Sequence, residues 1–137
     1  MPVIIDTSAV IAAFDRRDPA HRRVTAALAE ERATVVIPAA TLPEIAFLLR
    51  SRHGQAAAAT AIRRLADGPW PVEAGDMDDL RRSAALMEQY ADASLSFVDA
   101  FVVAIAERLG VSRIHTLDRR DFSLVRPRHV AAFEIRP

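Results

Sequence analysis

The sequence predicts an α/β protein, a three-layer α/β/α sandwich around a mainly parallel central sheet. Three observations point there. Short runs such as Val3-Ile4-Ile5 and Thr34-Val35-Val36-Ile37 are apolar with no polar face, the pattern of strands covered by helices on both sides. Segments with helical periodicity separate these runs, as the crossovers between parallel strands require. No two runs are joined by a short glycine turn of the kind that closes a hairpin.

The elements follow in order. Val3–Ile5 is a buried strand that stops at Asp6, and Thr7 or Ser8 can cap a helix whose apolar positions are Val10, Ile11 and Phe14. Asp18-Pro19 opens a second helix over roughly 20–31, with Val24, Ala27 and Leu28 on one face and Arg16, Arg17, His21, Arg22 and Arg23 crowding its start. The second strand, Thr34–Ile37, is stopped by Pro38. Thr41-Leu42-Pro43-Glu44 has the capping-box spacing and opens a helix through Ile45, Phe47, Leu48 and Leu49 that ends near His53-Gly54. A helix over 55–66 follows, closed by Asp67-Gly68-Pro69; the prolines around Trp70 to Glu73 confine the next short strand to an edge. Asp76 caps a helix over 76–90 in which no chemistry stands out. Ser96-x-x-Asp99 opens the most apolar helix, Ala100 to Ala106 and on to Leu109-Gly110, which should lie at the centre of the molecule. Arg113–Leu117 reads as a strand ending at Asp118, and Phe133–Ile135 as a last short strand.

Length and composition bound the function. The 137 residues, 51% of them apolar, make one domain spanning 1–137. Eighteen basic and 18 acidic side chains cancel, so no global field advertises nucleic-acid binding and any such contact must be local. Every basic residue is arginine, suited to bidentate contacts with phosphate or carboxylate and equally the mark of a GC-rich genome. The absence of cysteine excludes disulfides, thiolate metal sites and cysteine nucleophiles. With neither a signal-like start nor a spanning apolar run, the chain is expected to be soluble and cytoplasmic, with no membrane partner.

Four acids share one property. Asp6 and Asp118 end strands, while Glu44 and Asp99 begin helices, and in a parallel sheet those positions lie along the same edge. Each has an ordinary explanation alone, as a turn residue or a cap; four such coincidences on one edge are harder to accept than a site. Clustered carboxylates cannot all stay ionised without a cation, and hard oxygen donors select Mg²⁺ or Mn²⁺ over zinc. The chemistry that follows is metal-assisted phosphodiester hydrolysis.

The same residues carry a family resemblance. Ile5-Asp6-Thr7-Ser8, Pro43-Glu44-Ile45, Asp92 with Ser96-Phe97-Val98-Asp99-Ala100, and Thr116-Leu117-Asp118-Arg119-Arg120-Asp121-Phe122, in this order and over almost the whole chain, resemble the PIN-domain ribonucleases, and more narrowly the VapC-type toxins of toxin–antitoxin pairs. The resemblance implies a Mg²⁺- or Mn²⁺-dependent endoribonuclease acting on structured RNA such as tRNA or rRNA, inhibited by a VapB-like cognate antitoxin and usually a homodimer. It implies an acidic quartet of Asp6, Glu44, Asp99 and Asp118, with metal held chiefly by Asp6 and Asp99 and water positioned by Glu44 and Asp118. Thr7, Ser8, Asp92, Thr116 and Asp121 would support them, Thr7 or Ser8 by holding a metal-bound water. Many relatives place the second acid of the last motif two residues after the first; here Asp121 follows Asp118 by three, which leaves open which of the two faces the metal.

Other functions fit less well. Phosphotransfer through an aspartyl phosphate on Asp6 would want a lysine, and the chain has none. A histidine-only ribonuclease would need two imidazoles from His21, His53, His115 and His129, whose contexts are dissimilar; His115 reads as a strand side chain facing a helix. A catalytically weak RNA- or antitoxin-binding module would not need an intact acidic set. An antitoxin is expected to send a basic side chain into that set in place of metal, and to lay an amphipathic helix against apolar residues of 20–28 and 45–49.

Overall fold

The computed structural model describes residues 1–137. Its strands are β1 (Val3–Ile5), β2 (Val35–Pro38), β3 (Val72–Glu73), β4 (Arg113–His115) and β5 (Glu134–Arg136). Its helices are α1 (Thr7–Phe14), α2 (His21–Glu30), α3 (Leu42–His53), α4 (Gln55–Asp67), α5 (Met77–Gln89), α6 (Phe97–Leu109) and α7 (Arg119–Leu124), with 3-10 turns at Ala39–Thr41 and Ala91–Ala93. The sheet order is β3-β2-β1-β4-β5, every neighbouring pair is parallel, and helices cover both faces, so the expected three-layer sandwich is the observed one. No helix is long and apolar enough to cross a membrane.

β1 is the centre of this architecture because its side chains alternate between two cores. Val3 and Ile5 pack with Val35, Ile37 and the apolar faces of α1, α2, α3 and α4. Ile4 packs on the other side with Ile114, Leu86, Phe122 and the buried stretch of α6. A three-residue strand has few ladder hydrogen bonds; full burial of Ile4 and Ile5 adds about 3–6 kcal/mol and fixes its register. Helix α6 is buried continuously from Asp99 to Ala106, as its all-round apolar sequence requires.

Several local details depart from the sequence expectation. Pro38 is the last residue of β2 rather than its stop, paired with Glu73, at a strand end where its missing N–H is little felt. Thr41 does not cap α3. It sits in a right-handed helical conformation within the 3-10 turn, and its hydroxyl donates to the Pro38 carbonyl at 2.7 Å. Helix α7 has no counterpart in the sequence reading, being too short to show periodicity; it is capped by Asp118 and buries Phe122. Asp76 caps α5 as expected, in a reciprocal pair with Asp79 at 2.8 and 2.9 Å.

The strand order sets where a ligand can sit. From β1 the chain crosses to β2 and β3 on one side, and later to β4 and β5 on the other, so the order reverses between β1 and β4. The carboxyl ends of those two strands open the crevice where doubly wound sheets bind ligands. Asp6 and Asp118 stand just beyond them.

Candidate active site

One cleft of about 300 Å³ is lined by Asp6, Thr7, Ser8, Glu44, Ser96, Asp99 and Asp118, together with Ile11, Asp18, Leu48, Arg52 and Leu117. It gathers all four acids of the expected quartet. They come from four separate places: the end of β1, the first turn of α3, the first turn of α6 and the cap of α7.

Asp6 is the deepest. Its backbone N–H donates to the His115 carbonyl at 2.9 Å, continuing the β1–β4 pairing, and its carboxylate is buried at the start of α1 without serving as a side-chain cap. Oδ2 accepts the Thr116 hydroxyl at 3.0 Å, whereas Oδ1 is buried with no partner. Burial pushes the Asp6 carboxyl up to about 6, opposed by the nearby Thr7 N–H dipole, which makes no hydrogen bond to it, and by the Thr116 hydroxyl bond, and reinforced by the charges of Glu44 and Asp118.

Thr116 joins the two strand ends. Its single hydroxyl hydrogen goes to Asp6, so its oxygen accepts, from the Asp118 N–H at 3.0 Å and from Ser8 Oγ at 3.2 Å. Ser8 Oγ in turn accepts the Leu117 N–H at 2.9 Å. Ser8 is therefore spent on the scaffold, while Thr7 Oγ1, buried in the cleft wall, has no partner.

Asp99, Asp118 and Asp121 form a second focus, each offering one carboxylate oxygen within 4.8 Å of the others. Ser96 Oγ accepts the Asp99 N–H at 3.1 Å and so caps α6, which leaves the Asp99 carboxylate free for the cleft. Burial, then the charges of Asp6 and Asp118, hold Asp99 well above the ordinary carboxylate range. Asp118 is raised too, chiefly by burial, although its Oδ1 accepts the Asp121 N–H at 3.3 Å. Both Asp118 and Asp121 thus face the acidic cluster.

Glu44 is exposed at the cleft wall, and with Thr41 turned away its carboxylate has no capping bond to explain it. Asp92 stands exposed on the 3-10 turn before α6 and does not line the cleft. None of the four histidines lines it either. His115 is buried against Glu31 at 2.9 Å and the Pro137 carbonyl at 2.9 Å, His21 bonds the Ala12 carbonyl, His53 bonds Asp15 and His129 bonds the Val111 carbonyl. Asp18 and Arg52 are cleft residues that the sequence did not single out. Asp18-Pro19 had a full explanation as a helix start, and Arg52 as a cation in the last turn of a helix.

The donors fit a hard divalent cation. They are carboxylate oxygens without sulfur or imidazole, and the buried Asp6 Oδ1 lacks any protein donor, the state of an atom built for a ligand.

Comparison with known proteins identifies the family and the fold. Residues 3–126 match the PIN domain family. The chain is 32% identical to Ribonuclease VapC26 of Mycobacterium tuberculosis over 135 residues, 98% of this chain and 100% of that protein. Its fold is similar to that of the M. tuberculosis toxin VapC20, described as cleaving the sarcin–ricin loop, with a TM-score of 0.84, 24% identity and coverage of 98% and 99% of the two chains. It is also similar to a chain of a toxin–antitoxin complex from Klebsiella pneumoniae, with a TM-score of 0.68, 23% identity and coverage of 90% and 92%. With its acids converging at the β1–β4 switch point, this chain belongs to the PIN-domain family, among its VapC-type members.

Proposed function

We propose that this chain is a metal-dependent endoribonuclease that hydrolyses phosphodiester bonds in structured RNA, and the toxin of a toxin–antitoxin pair. The observation that carries the reading is the buried Asp6 carboxylate with one unpartnered oxygen, in a cleft shared with Glu44, Asp99 and Asp118. The ribonuclease name of VapC26 and the loop-cleaving description of VapC20 support RNA, and ribosomal RNA within that class. The Klebsiella complex supports an antitoxin partner. A homodimer in the cytoplasm is the state we assign to the free protein.

Asp6 and Asp99 would hold Mg²⁺ or Mn²⁺, with Asp118 and Asp121 beside them. A divalent ion so held neutralises phosphate charge and makes a bound water more acidic. The chain's own residues do the rest. Thr116 fixes the orientation of the Asp6 carboxylate and ties it to the backbone of Asp118. Thr7 Oγ1, free where Ser8 Oγ is not, is the hydroxyl available to hold a water. Glu44 and Asp118 position the attacking water, and the exposed Glu44 is the base to which its proton passes.

The test is incubation of the purified protein with total RNA and Mn²⁺, followed by sequencing of the new 5′ ends. Discrete cuts in tRNA or rRNA that vanish in EDTA and in Asp6→Asn are expected. Intact RNA under all conditions would leave a binding module and end the nuclease reading.

A further inference from the structure

Arg52 is the only cation among the residues that line the acidic cleft, set against Asp6, Asp18, Glu44, Asp99 and Asp118. Its placement is specific. Nη1 alone makes its protein contacts, 3.2 Å to Asp18 Oδ2 and 3.4 Å to Asp15 Oδ2. Both carboxylates belong to the α1–α2 connection and are fixed independently: Asp15 by the Arg17 N–H at 3.0 Å and His53 at 3.0 Å, Asp18 by the Ala20 N–H at 2.9 Å. The guanidinium is thereby held at one corner while its Nε and Nη2 donate to no protein acceptor.

Other arginines contrast with it. Arg82 spends Nε and Nη2 on Glu107, Arg108 spends the same two on Asp79 and Glu73, and Arg113 is divided between Glu31 and Glu134. Those are structural ion pairs with the planar fork occupied. In Arg52 the fork is open, the side chain is 44% exposed, and exposed Arg16 and Arg17 stand on the same connection as its two anchors. An open fork is the arrangement that suits two parallel hydrogen bonds to a phosphate. An anionic substrate entering a cleft with this excess of carboxylates also needs a cation at its entrance.

We propose that Arg52 is a substrate-binding residue that grips an RNA backbone phosphate at the mouth of the cleft through Nε and Nη2, while Asp18 and Asp15 hold the guanidinium in place by Nη1. The phosphate gripped is one neighbouring the scissile bond, so Arg52 sets where the strand lies over the acids without taking part in the chemistry. This inference rests on the endoribonuclease reading.

The test compares wild type, Arg52→Gln and Arg52→Lys in cleavage with Mn²⁺, and in binding of a fluorescein-labelled RNA hairpin of mixed sequence in EDTA over a range of salt. Arg52→Gln is expected to raise KM about tenfold with kcat within about twofold, because a bidentate phosphate contact contributes affinity on that scale. Its log–log salt slope should become less negative by about 0.7–0.9, the signature of one lost phosphate contact. Arg52→Lys should keep the slope, since the charge remains, and recover only part of the KM. An unchanged KM and slope in Arg52→Gln, or full recovery in Arg52→Lys, overturns the proposal. A purely structural Arg52 would lower the melting temperature and leave the salt slope where it was. If wild type itself cleaves no RNA, the endoribonuclease reading falls and takes this one with it; if wild type cleaves and Arg52→Gln matches it, this one falls alone.

Discussion

The Thr116 hydroxyl donates to Asp6 Oδ2 at 3.0 Å across 110 residues of sequence, joining the ends of β1 and β4 at the point where the strand order reverses. The bond orients the deepest carboxylate of the cleft and is one of the interactions that hold the Asp6 proton affinity down against burial. Removing it has a readable consequence. In Thr116→Val the Asp6 carboxyl rises further, and the acid limb of the pH–rate profile should move up by about one to two units, given about 1.5–3 kcal/mol for a hydrogen bond to a charged group. An unmoved limb in a folded, active variant would mean that Asp6 ionisation does not govern the rate.

Crowded acids make the metal-free protein pay for its site in stability. Asp6 has a folded pKa of about 6 against an ordinary 3.8, so above pH 4 the folded state binds more protons than the unfolded one and stability falls as pH rises. The full penalty, present above pH 6, is about 3 kcal/mol. Asp99 and Asp118 are shifted in the same direction. Glu31, lowered to about 2, titrates in the opposite sense but at lower pH, between about 2 and 4.5. In EDTA, Asp6→Asn should therefore melt higher than wild type at pH 7 and lose that advantage toward pH 4, while cleaving nothing. A variant that melts lower throughout would show Asp6 to be structural.

Asp99→Asn should also abolish cleavage with the helix intact, because Ser96 rather than Asp99 supplies the side-chain cap of α6. Far-UV circular dichroism checks the fold, and an unfolded variant would contradict the assignment.

Glu44→Gln isolates catalysis from capping. Thr41 makes no capping bond, so the Glu44 charge serves the start of α3 only through its first-turn position at the positive end of the helix dipole, a small effect at this exposed site. Cleavage should drop by about 10²-fold or more, the typical loss for a general base, with the melting temperature within a degree or two. Normal kcat would remove Glu44 from the mechanism.

The sheet edge and the site were legible to different depths. Asp6 and Asp118 could be found because a buried strand that stops at an acid leaves a one-dimensional signal, and Asp99, despite its own capping spacing from Ser96, because a carboxylate in the first turn of an all-apolar helix is desolvated and needs a partner or a metal. Glu44 was obscured by a capping-box spacing that the structure does not use: the 3-10 turn puts Thr41 in a helical conformation and sends its hydroxyl to Pro38. The Ser8–Thr116 and Arg52–Asp18 contacts span 108 and 34 residues and exist only after the sheet has formed, so no local pattern encodes them. Apolar residues proposed for an antitoxin groove divide likewise. Val24, Ile45 and Leu49 are absorbed by the core, and Phe47 stays 59% exposed.

Gly75 shows the same limit on the scaffold side. It precedes α5 with φ +82°, and a Cβ there would run into the tip of the buried Phe101 ring. Gly75→Ala should destabilise by about 2–4 kcal/mol, from overpacking together with the left-handed backbone, without altering the acids. Urea denaturation measures it, and a change under about 0.5 kcal/mol would mean that the turn relaxes freely.

Single-turnover cleavage of a labelled rRNA fragment, titrated with Mn²⁺ for wild type and Asp6→Asn, tests most directly whether the acidic cleft is a metal-dependent nuclease centre. A wild-type rate that rises from zero in EDTA and saturates with Mn²⁺, beside an Asp6→Asn protein that cleaves at no concentration, is the predicted result. Equal cleavage with and without metal, or by Asp6→Asn as by wild type, would contradict it.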